Sequence, residues 1–190
     1  MIVLDMEATS LDHVRGAMLS LGAVDLNDPK RTYYQEYRIW PGALVHDDAL
    51  VVAGFTPEQI VDKNKPTFAE AAEEFIAWVD QSACTIIAGH NVMYDLMFLK
   101  EEMRRAKKEW KWGFRSVDLH AVAFCKVWAE TKKQPLKEDG RSALSLDGVS
   151  GVAGITFRRG TAHNALEDAK LTAECFSRLL FKKKLFKEFD

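Results

Sequence analysis

The order of strand-like and helix-like segments is the feature that most restricts the fold of this chain. The first forty residues contain three β-rich segments, MIVLDME, AMLSLGAVDL and TYYQEYRIW, which are joined by short turns. Short turns join antiparallel neighbours, so these segments predict a three-stranded meander. The remainder alternates short apolar segments with amphipathic ones, which predicts strands connected through helices. Together they predict an α/β fold, in which helices cover a mixed sheet.

The helical segments are marked by their spacing of apolar residues and by capping residues. Residues 41–60 contain no clear period, although Thr56 followed by Pro57 is a typical helix start. A lysine- and phenylalanine-rich tail predicts the amphipathic end of a last helix. The segments with helical period are TFAEAAEEFIAWV, VMYDLMFLKEEMRRAKKEW, the second part of SVDLHAVAFCKVWAE, LSLDGVSGVAGI and NALEDAKLTAECFSRLLF.

Length and composition predict one domain over residues 1–190, with 47% hydrophobic residues available for a core. The formal net charge is −2, so attraction to nucleic acid has to come from a local basic patch or from bound metal ions. The three cysteines match no zinc spacing and indicate reduced thiols. Without a signal-like segment or an apolar run long enough for a membrane span, the expected location is the cytoplasm, with no membrane partner.

Two carboxylates, Asp5 and Glu7, end the first predicted strand. Residues i and i+2 lie on the same face of a strand, so the two acids point the same way and repel each other unless water or a cation intervenes. One explanation of the pair is two solvated acids at a strand edge. Another is a phosphohydrolase of the haloacid-dehalogenase kind, although Glu7 is one methylene longer than the aspartate of that D-x-D-x-T pattern.

A third acid, Asp95, lies in the segment GHNVMYDLMFL. Asn91 is a good N-cap directly after a predicted strand, so Asp95 falls in the first turn of the helix. A carboxylate is stabilised there by the helix N-terminus. However, the spacing to Val92 and Leu99 places Asp95 at the border of the inward face, where a charge is costly without a partner.

The segment TAHNALEDAKLT supplies a fourth acid and a histidine. Asn164 and Glu167 have the spacing of a capping box, which starts the last long helix after His163. Asp168 then lies in the first turn and aligns with the apolar Leu171. His163 stands on the preceding loop, free to lie beside the acid.

If these element ends meet, four carboxylates share one site and require divalent cations. Oxygen ligands favour Mg²⁺ or Mn²⁺ over zinc, and two such ions are a known device for displacement at phosphorus. A neutral imidazole can take the proton of an attacking water. The predicted chemistry is metal-assisted phosphodiester hydrolysis.

The three segments LDMEATSLD, GHNVMYDLMFL and TAHNALEDAKLT resemble, in this order, the motifs of the DEDDh family of 3′–5′ exonucleases, which includes the proofreading subunit of bacterial replicative polymerase. The resemblance extends over nearly the whole chain and implies a ribonuclease-H-like fold with a five-stranded mixed sheet. It implies that Asp5, Glu7 and Asp168 bind one metal ion, that Asp5 bridges to a second near Asp95, and that His163 is the general base. The dehalogenase alternative leaves Asp95, His163 and Asp168 without roles.

The resemblance also suggests contacts with the substrate. Phe55 stands where an aliphatic residue is usual and is a candidate for stacking on the terminal base, with core packing as the alternative. Arg158 and Arg159 precede His163 and are candidates for a phosphate contact. Ser10 replaces the usual glycine, and Ala53 a usual histidine. The predicted substrate-binding residues are Met6, Ala8, Thr9, Phe55, Asn91 and Arg159.

The sequence thus predicts a metal-dependent 3′–5′ exonuclease that releases nucleoside 5′-monophosphates from single-stranded or frayed 3′ ends of DNA. Its predicted cofactors are two Mg²⁺ or Mn²⁺ ions, and its partner is the 3′ end of a nucleic acid, with a polymerase as a possible further partner. An exoribonuclease acting on short RNA is the alternative. An inactive binding module is less consistent with four retained inward carboxylates.

Overall fold

The computed structural model describes residues 1–156 and 163–189. Five strands form one sheet in the order β3-β2-β1-β4-β5. β1 pairs antiparallel with β2, and β2 with β3, whereas β4 and β5 continue the sheet in parallel on the other side of β1. The strands are β1 Ile2–Ala8, β2 Met18–Asp25, β3 Thr32–Glu36, β4 Ile87–Gly89 and β5 Ser116–Asp118.

Helices cover both faces of this sheet. In the described residues they are α1 Asp47–Ala53, α2 Phe68–Asp80, α3 Met93–Arg105, α4 Leu119–Thr131, α5 Leu146–Val152 and α6 Ala165–Phe181. The predicted meander and the strand–helix alternation after it are therefore confirmed, as is the mixed five-stranded sheet. None of the helices described is both long and apolar enough to cross a membrane.

The central strand β1 separates two cores. Its even-numbered residues, such as Leu4 and Met6, pack with α2 and α3 in one apolar cluster. Val3 faces the other side and packs with α4, α5 and α6. Because side chains alternate along a strand, Asp5 and Glu7 follow Val3 toward the α6 side.

Residues 41–60 differ from the prediction. The short helix α1 forms in the stretch without a clear period and ends at Ala53, capped by Gly54, whose φ of 72° is easy for glycine. Its buried residues Leu50 and Ala53 pack with Ile60, so tertiary contacts stabilise it. The helix start expected at Thr56 is a single 3₁₀ turn over Gln59–Val61.

The chain end also differs from the prediction. α6 ends at Phe181, and Lys182 adopts a left-handed conformation that stops the helix. The predicted amphipathic helix end is therefore wrong. The last described residues instead fold back onto α6, where Phe189 is buried and its carbonyl accepts a hydrogen bond from Arg178.

Candidate active site

The end of β1 forms one wall of the candidate site. In β1 only Ile2 and Val3 pair with β4, so β1 extends beyond its parallel neighbour. On the other side, Asp5 pairs with Gly22 of β2, and the register shifts just after Glu7. On the β4 side, the end of β1 has no strand partner among the described residues, so its backbone groups there can bind other elements.

Asp95 occupies part of this edge of β1. The Met6 backbone N–H donates a hydrogen bond of 3.1 Å to Asp95 Oδ1, which replaces the missing strand partner. Asp95 lies in the first turn of α3 and is 4% exposed. The predicted inward position of this carboxylate is thus what the structure shows, and its backbone contact ties α3 to the acidic end of β1.

The predicted cap of α3 needs a correction. Asn91 has a φ of 56°, in the left-handed region, and the N-cap position is Val92, which makes no side-chain cap bond. The carboxylate of Asp118, at the end of β5, accepts the Val92 backbone N–H at 3.0 Å. The same carboxylate also caps α4 through the His120 N–H at 2.8 Å. One acid from another strand therefore serves two helix starts.

The N-terminus of α6 brings the fourth carboxylate to the site. Asn164 caps the helix as predicted, because its side chain accepts the backbone N–H groups of Leu166 and Glu167. Glu167 does not complete the predicted capping box by binding the Asn164 backbone N–H. Its carboxylate accepts a hydrogen bond of 3.0 Å from Lys170 instead. Asp168 is 4% exposed and faces inward, as predicted.

His163 lies beside Asp168, immediately before α6. Its backbone N–H donates a 2.9 Å hydrogen bond to the Val52 carbonyl of α1. Its Nδ1 is 3.8 Å from Asp168 Oδ2, and its side chain is 35% exposed. The histidine is therefore near the acids but accessible to a solvent molecule or a substrate.

All five predicted residues line one open cavity of about 640 Å³. Its four predicted acids come from β1, α3 and α6, which are far apart in sequence. The described residues that line it include Asp5, Glu7, Asp95, His163 and Asp168, with Met6, Ala8, Ser10, Leu11, His46, Asp48, Ala49, Val52, His90, Asn91, Tyr94, Ser145 and Leu146.

The electrostatics of the cavity disfavour a fully ionised set of acids. Burial raises the pKa of Asp95 well above its usual range, and the charges of Glu7 and Asp118 raise it further, whereas the Met6 N–H opposes the shift. Tyr94, the neighbour of Asp95, has its pKa raised to about 12, again mainly through burial. The neutral form of Asp95 is therefore favoured unless a cation balances its charge.

A divalent cation fits this donor set. Glu7, His163 and Asp168 each offer a ligand atom, and these atoms all lie within 4.8 Å of one another. Glu7 and Asp168 are buried carboxylates, whose ionised form a hard cation stabilises. The two carboxylates of this group therefore suit a hard divalent cation, with the His163 nitrogen close beside them.

The predicted substrate contacts divide into three groups. Met6, Ala8 and Asn91 line the cavity. Arg159 lies outside the described residues, as does Arg158. Thr9 and Phe55 are described and are not among the residues that line this cavity.

Thr9 and Phe55 have structural partners instead. Thr9 is fully buried, and its hydroxyl donates to the Leu44 carbonyl at 2.6 Å and accepts the Ala17 N–H at 2.9 Å. Phe55 borders a smaller cavity, and Lys65 Nζ stands 4.9 Å from its ring centroid. These contacts give no support to the predicted substrate contacts of Thr9 and Phe55.

Sequence reasoning missed several cavity residues from α1 and from the loop after β1. Leu11 is 83% exposed although it is a large apolar residue, and it lines the cavity. The sequence feature that could have revealed Leu11 is its position as an apolar residue within a polar turn. Val52 and His46 had no such signal, because α1 itself was not predicted.

The lysines in and just after α3 are mostly occupied by structural pairs. Lys108 binds Glu73, and Lys111 lies 2.5 Å from Asp80. Lys100 Nζ stacks on the Trp110 ring at 5.0 Å. These contacts agree with a solvated helix face rather than a track for a nucleic acid.

A mixed sheet with carboxylates gathered at the end of its central strand, and a histidine beside them, defines the class of metal-assisted nucleases. The chain belongs to the exonuclease family, whose model matches residues 2–176. The predicted resemblance and the α/β fold are confirmed, and the chain is a nuclease, as predicted. This family generally uses divalent metal ions.

Relatives and solved structures agree with this membership. DNA polymerase III subunit epsilon of Aquifex aeolicus is 29% identical over 182 residues, which cover 94% of this chain and 79% of the relative. The protein of the same name from Escherichia coli K12 is also 29% identical, over 92% of this chain and 69% of its own length. These matches favour the predicted 3′–5′ DNA exonuclease over the exoribonuclease alternative.

The fold is similar to that of E. coli exonuclease I. The structure of that enzyme with a dT13 oligonucleotide has a TM-score of 0.73 and 18% identity. The match covers 94% of this chain but 40% of the solved one, so this chain spans less than half of that enzyme. The likeness concerns the fold.

Proposed function

We propose that this chain is a 3′–5′ exonuclease that hydrolyses the terminal phosphodiester bond at single-stranded or frayed 3′ ends of DNA and releases nucleoside 5′-monophosphates. The observation that carries the proposal is the convergence of Asp5, Glu7, Asp95, Asp168 and His163 on one open cavity. The name of the relatives, DNA polymerase III subunit epsilon, supports DNA as the substrate.

In this proposal the four carboxylates hold two divalent cations, Mg²⁺ or Mn²⁺. Asp5, Glu7 and Asp168 hold one ion, and Asp5 and Asp95 hold the other. When bound, two such ions supply charge stabilisation for the attacking and leaving oxygens of an in-line displacement. The Met6 N–H fixes the orientation of Asp95 toward the cavity.

His163 acts as the general base in this proposal. Its side chain is accessible from the cavity, so it can accept the proton of a water that attacks the phosphorus. Asp168, 3.8 Å away, stabilises the imidazolium that forms. The bond from the His163 N–H to Val52 holds the backbone while the ring takes up the proton.

The exposed Leu11 and Val52 of α1 line the cavity and offer apolar surface to a nucleobase. Such contacts tolerate any base, which suits an enzyme that degrades a strand of any sequence. A replicative polymerase is the first partner to test, because the relatives are subunits of one by name.

The test is a time course on single-stranded DNA and RNA of equal sequence, labelled at the 3′ or the 5′ end, with Mn²⁺ present. The expected result is stepwise loss from the 3′ end of DNA, faster than from RNA, with no cleavage in EDTA. Asp168→Ala should abolish cleavage, whereas Asp139→Asn, in an exposed loop, is the matched control and should retain it.

Shortening from the 5′ end, activity in chelator or full activity of Asp168→Ala would each contradict the proposal. Equal or faster cleavage of RNA would contradict the DNA assignment alone.

A further inference from the structure

One row of residues crosses the antiparallel half of the sheet and ends beneath the start of α6. Asp5 of β1 pairs with Gly22 of β2, and Gly22 pairs with Tyr34 of β3. Paired residues in adjacent strands have side chains on the same face. The row therefore links a candidate metal ligand to an edge-strand tyrosine on the face that α6 covers.

Gly22 lets α6 lie directly on this row. A Cβ built on Gly22 would stand 2.3 Å from the carbonyl carbon of Ala165 and 2.3 Å from the backbone nitrogen of Leu166. Those are backbone atoms, which cannot move aside as a flexible side chain can. The first turn of α6 is thus seated on the sheet at Gly22, one residue pair away from Tyr34.

The Tyr34 hydroxyl forms a hydrogen bond with Asn164, the N-cap residue of α6. Asn164 Oδ1 is occupied by the Leu166 and Glu167 N–H groups, so its Nδ2 is directed away from the helix. That Nδ2 donates to the Tyr34 hydroxyl at 3.4 Å, and the hydroxyl in turn donates to Glu36 Oε1 at 3.0 Å.

Glu36, the last acceptor in this series of hydrogen bonds, is itself held by an ion pair. Lys65 Nζ forms an ion pair of 2.6 Å with Glu36 Oε2. Burial raises the pKa of Tyr34 to about 12, so its hydroxyl stays protonated and available as a donor. A continuous set of polar contacts therefore runs from Lys65 through Glu36 and Tyr34 to Asn164.

The residue before Asn164 is His163. His163 lines both the main cavity and a smaller one of about 260 Å³, which Tyr34, Glu36 and Asn164 also line. The backbone here is held by the His163 N–H, which donates to the Val52 carbonyl, and by the Asn164 side chain, which accepts the Leu166 and Glu167 N–H groups.

We propose that Tyr34 is a positioning residue for His163, acting through Asn164. The hydroxyl of Tyr34 fixes the cap, the cap fixes the backbone at the start of α6, and that backbone sets where the imidazole meets the Asp168 carboxylate. The proposal rests on the proposed role of His163 as general base.

The decisive experiment is a double-mutant cycle of Tyr34→Phe with His163→Ala, measured as kcat and KM on single-stranded DNA. Tyr34→Phe should lower kcat by about 3- to 10-fold, the range that one hydrogen bond can supply, and leave KM unchanged. In the His163→Ala background the same change should have no further effect, because the residue it positions is absent.

Tyr33→Phe is the matched control. Tyr33 lies next to Tyr34 on the opposite face of the strand, where its hydroxyl meets that of Tyr37 in the core. It should leave kcat unchanged. Asn164→Ser retains a helix cap but loses the amide donor, so it should match Tyr34→Phe, and the two changes together should be no worse than one.

A second readout does not depend on activity. In the metal-free protein, the imidazole Cε1–H resonance of His163, assigned by its loss in His163→Ala, should shift in Tyr34→Phe and not in Tyr33→Phe. An unmoved resonance, or an equal kcat loss in the His163→Ala background, overturns the positioning role. If the wild-type protein shows no nuclease activity but the His163 resonance does shift in Tyr34→Phe, the result counts against the proposed function alone.

Discussion

The buried carboxylate of Asp95 gives the most specific stability prediction. Replacing Asp95 with asparagine removes a charge from a site that is 4% exposed. The new amide oxygen can still accept the Met6 N–H that Asp95 Oδ1 accepts at 3.1 Å. The change therefore tests the cost of the charge with little change in shape or hydrogen bonding.

The expected gain follows from the balance of these contacts. A lone buried charge costs several kcal/mol, and one backbone hydrogen bond to it returns about 1.5–3 kcal/mol. The charge of Glu7 adds to the cost, since it raises the pKa of Asp95 further. In EDTA at neutral pH we expect Asp95→Asn to be more stable by about 1–4 kcal/mol.

The sign of the pH dependence follows from the raised pKa. Below the unfolded value of 3.8 the carboxyl is neutral in both states, so aspartic acid and asparagine should differ little. As the pH rises, the unfolded chain ionises first, and the wild-type protein loses stability until the folded pKa is passed. The advantage of Asp95→Asn should therefore grow with pH.

The assay is urea unfolding of the wild type and of Asp95→Asn at several pH values, in EDTA and then in saturating Mn²⁺. The metal should stabilise the wild type, by about 2.7 kcal/mol at a hundredfold excess over Kd, and stabilise the variant less. Asp139→Asn, an exposed control, should change nothing measurable. A variant that is less stable than the wild type in EDTA at neutral pH would refute the reasoning.

Three further substitutions test the catalytic role of His163, the packing of α6 on Gly22 and the hydrogen bonds of Thr9. His163→Ala should lower kcat by about 10²–10⁴-fold with little change in KM, and unchanged turnover would remove its role as base. Gly22→Ala should cost about 1–3 kcal/mol in urea unfolding and lower activity, because its Cβ meets backbone of α6; a variant with wild-type stability would contradict the close approach. Thr9→Val should lose about 1–3 kcal/mol by leaving the Leu44 and Ala17 backbone groups unsatisfied, while a raised KM at unchanged stability would instead favour the predicted substrate contact.

The sequence was most informative where local pattern and position agree. Alternation along β1 placed Asp5 and Glu7 on one face, and the Asn164 cap placed Asp168 in the first turn of α6. Both arguments need only neighbouring residues. The structure then brings these acids to one cavity.

The errors arose where distant residues decide the local structure. Asn91 has the right type and place for a cap, but Asp118, 27 residues further along the chain, supplies the carboxylate. The helix α1 is only seven residues long, too short for a clear period, and packs through Leu50 and Ala53. No local rule can show such contacts.

The serine that replaces the usual family glycine after Thr9 has a structural explanation. Ser10 is 2% exposed, and its hydroxyl accepts the Asp12 N–H at 3.2 Å. A Cβ on Gly16 would stand 2.4 Å from Ser10 Oγ, so Gly16 provides the space that this side chain needs. The Ser10 carbonyl accepts the Tyr94 hydroxyl at 2.8 Å, which ties the turn to the helix that carries Asp95. The turn thus tolerates a serine because its neighbour across the turn lacks a side chain, and the position of the acids does not depend on a glycine at position 10.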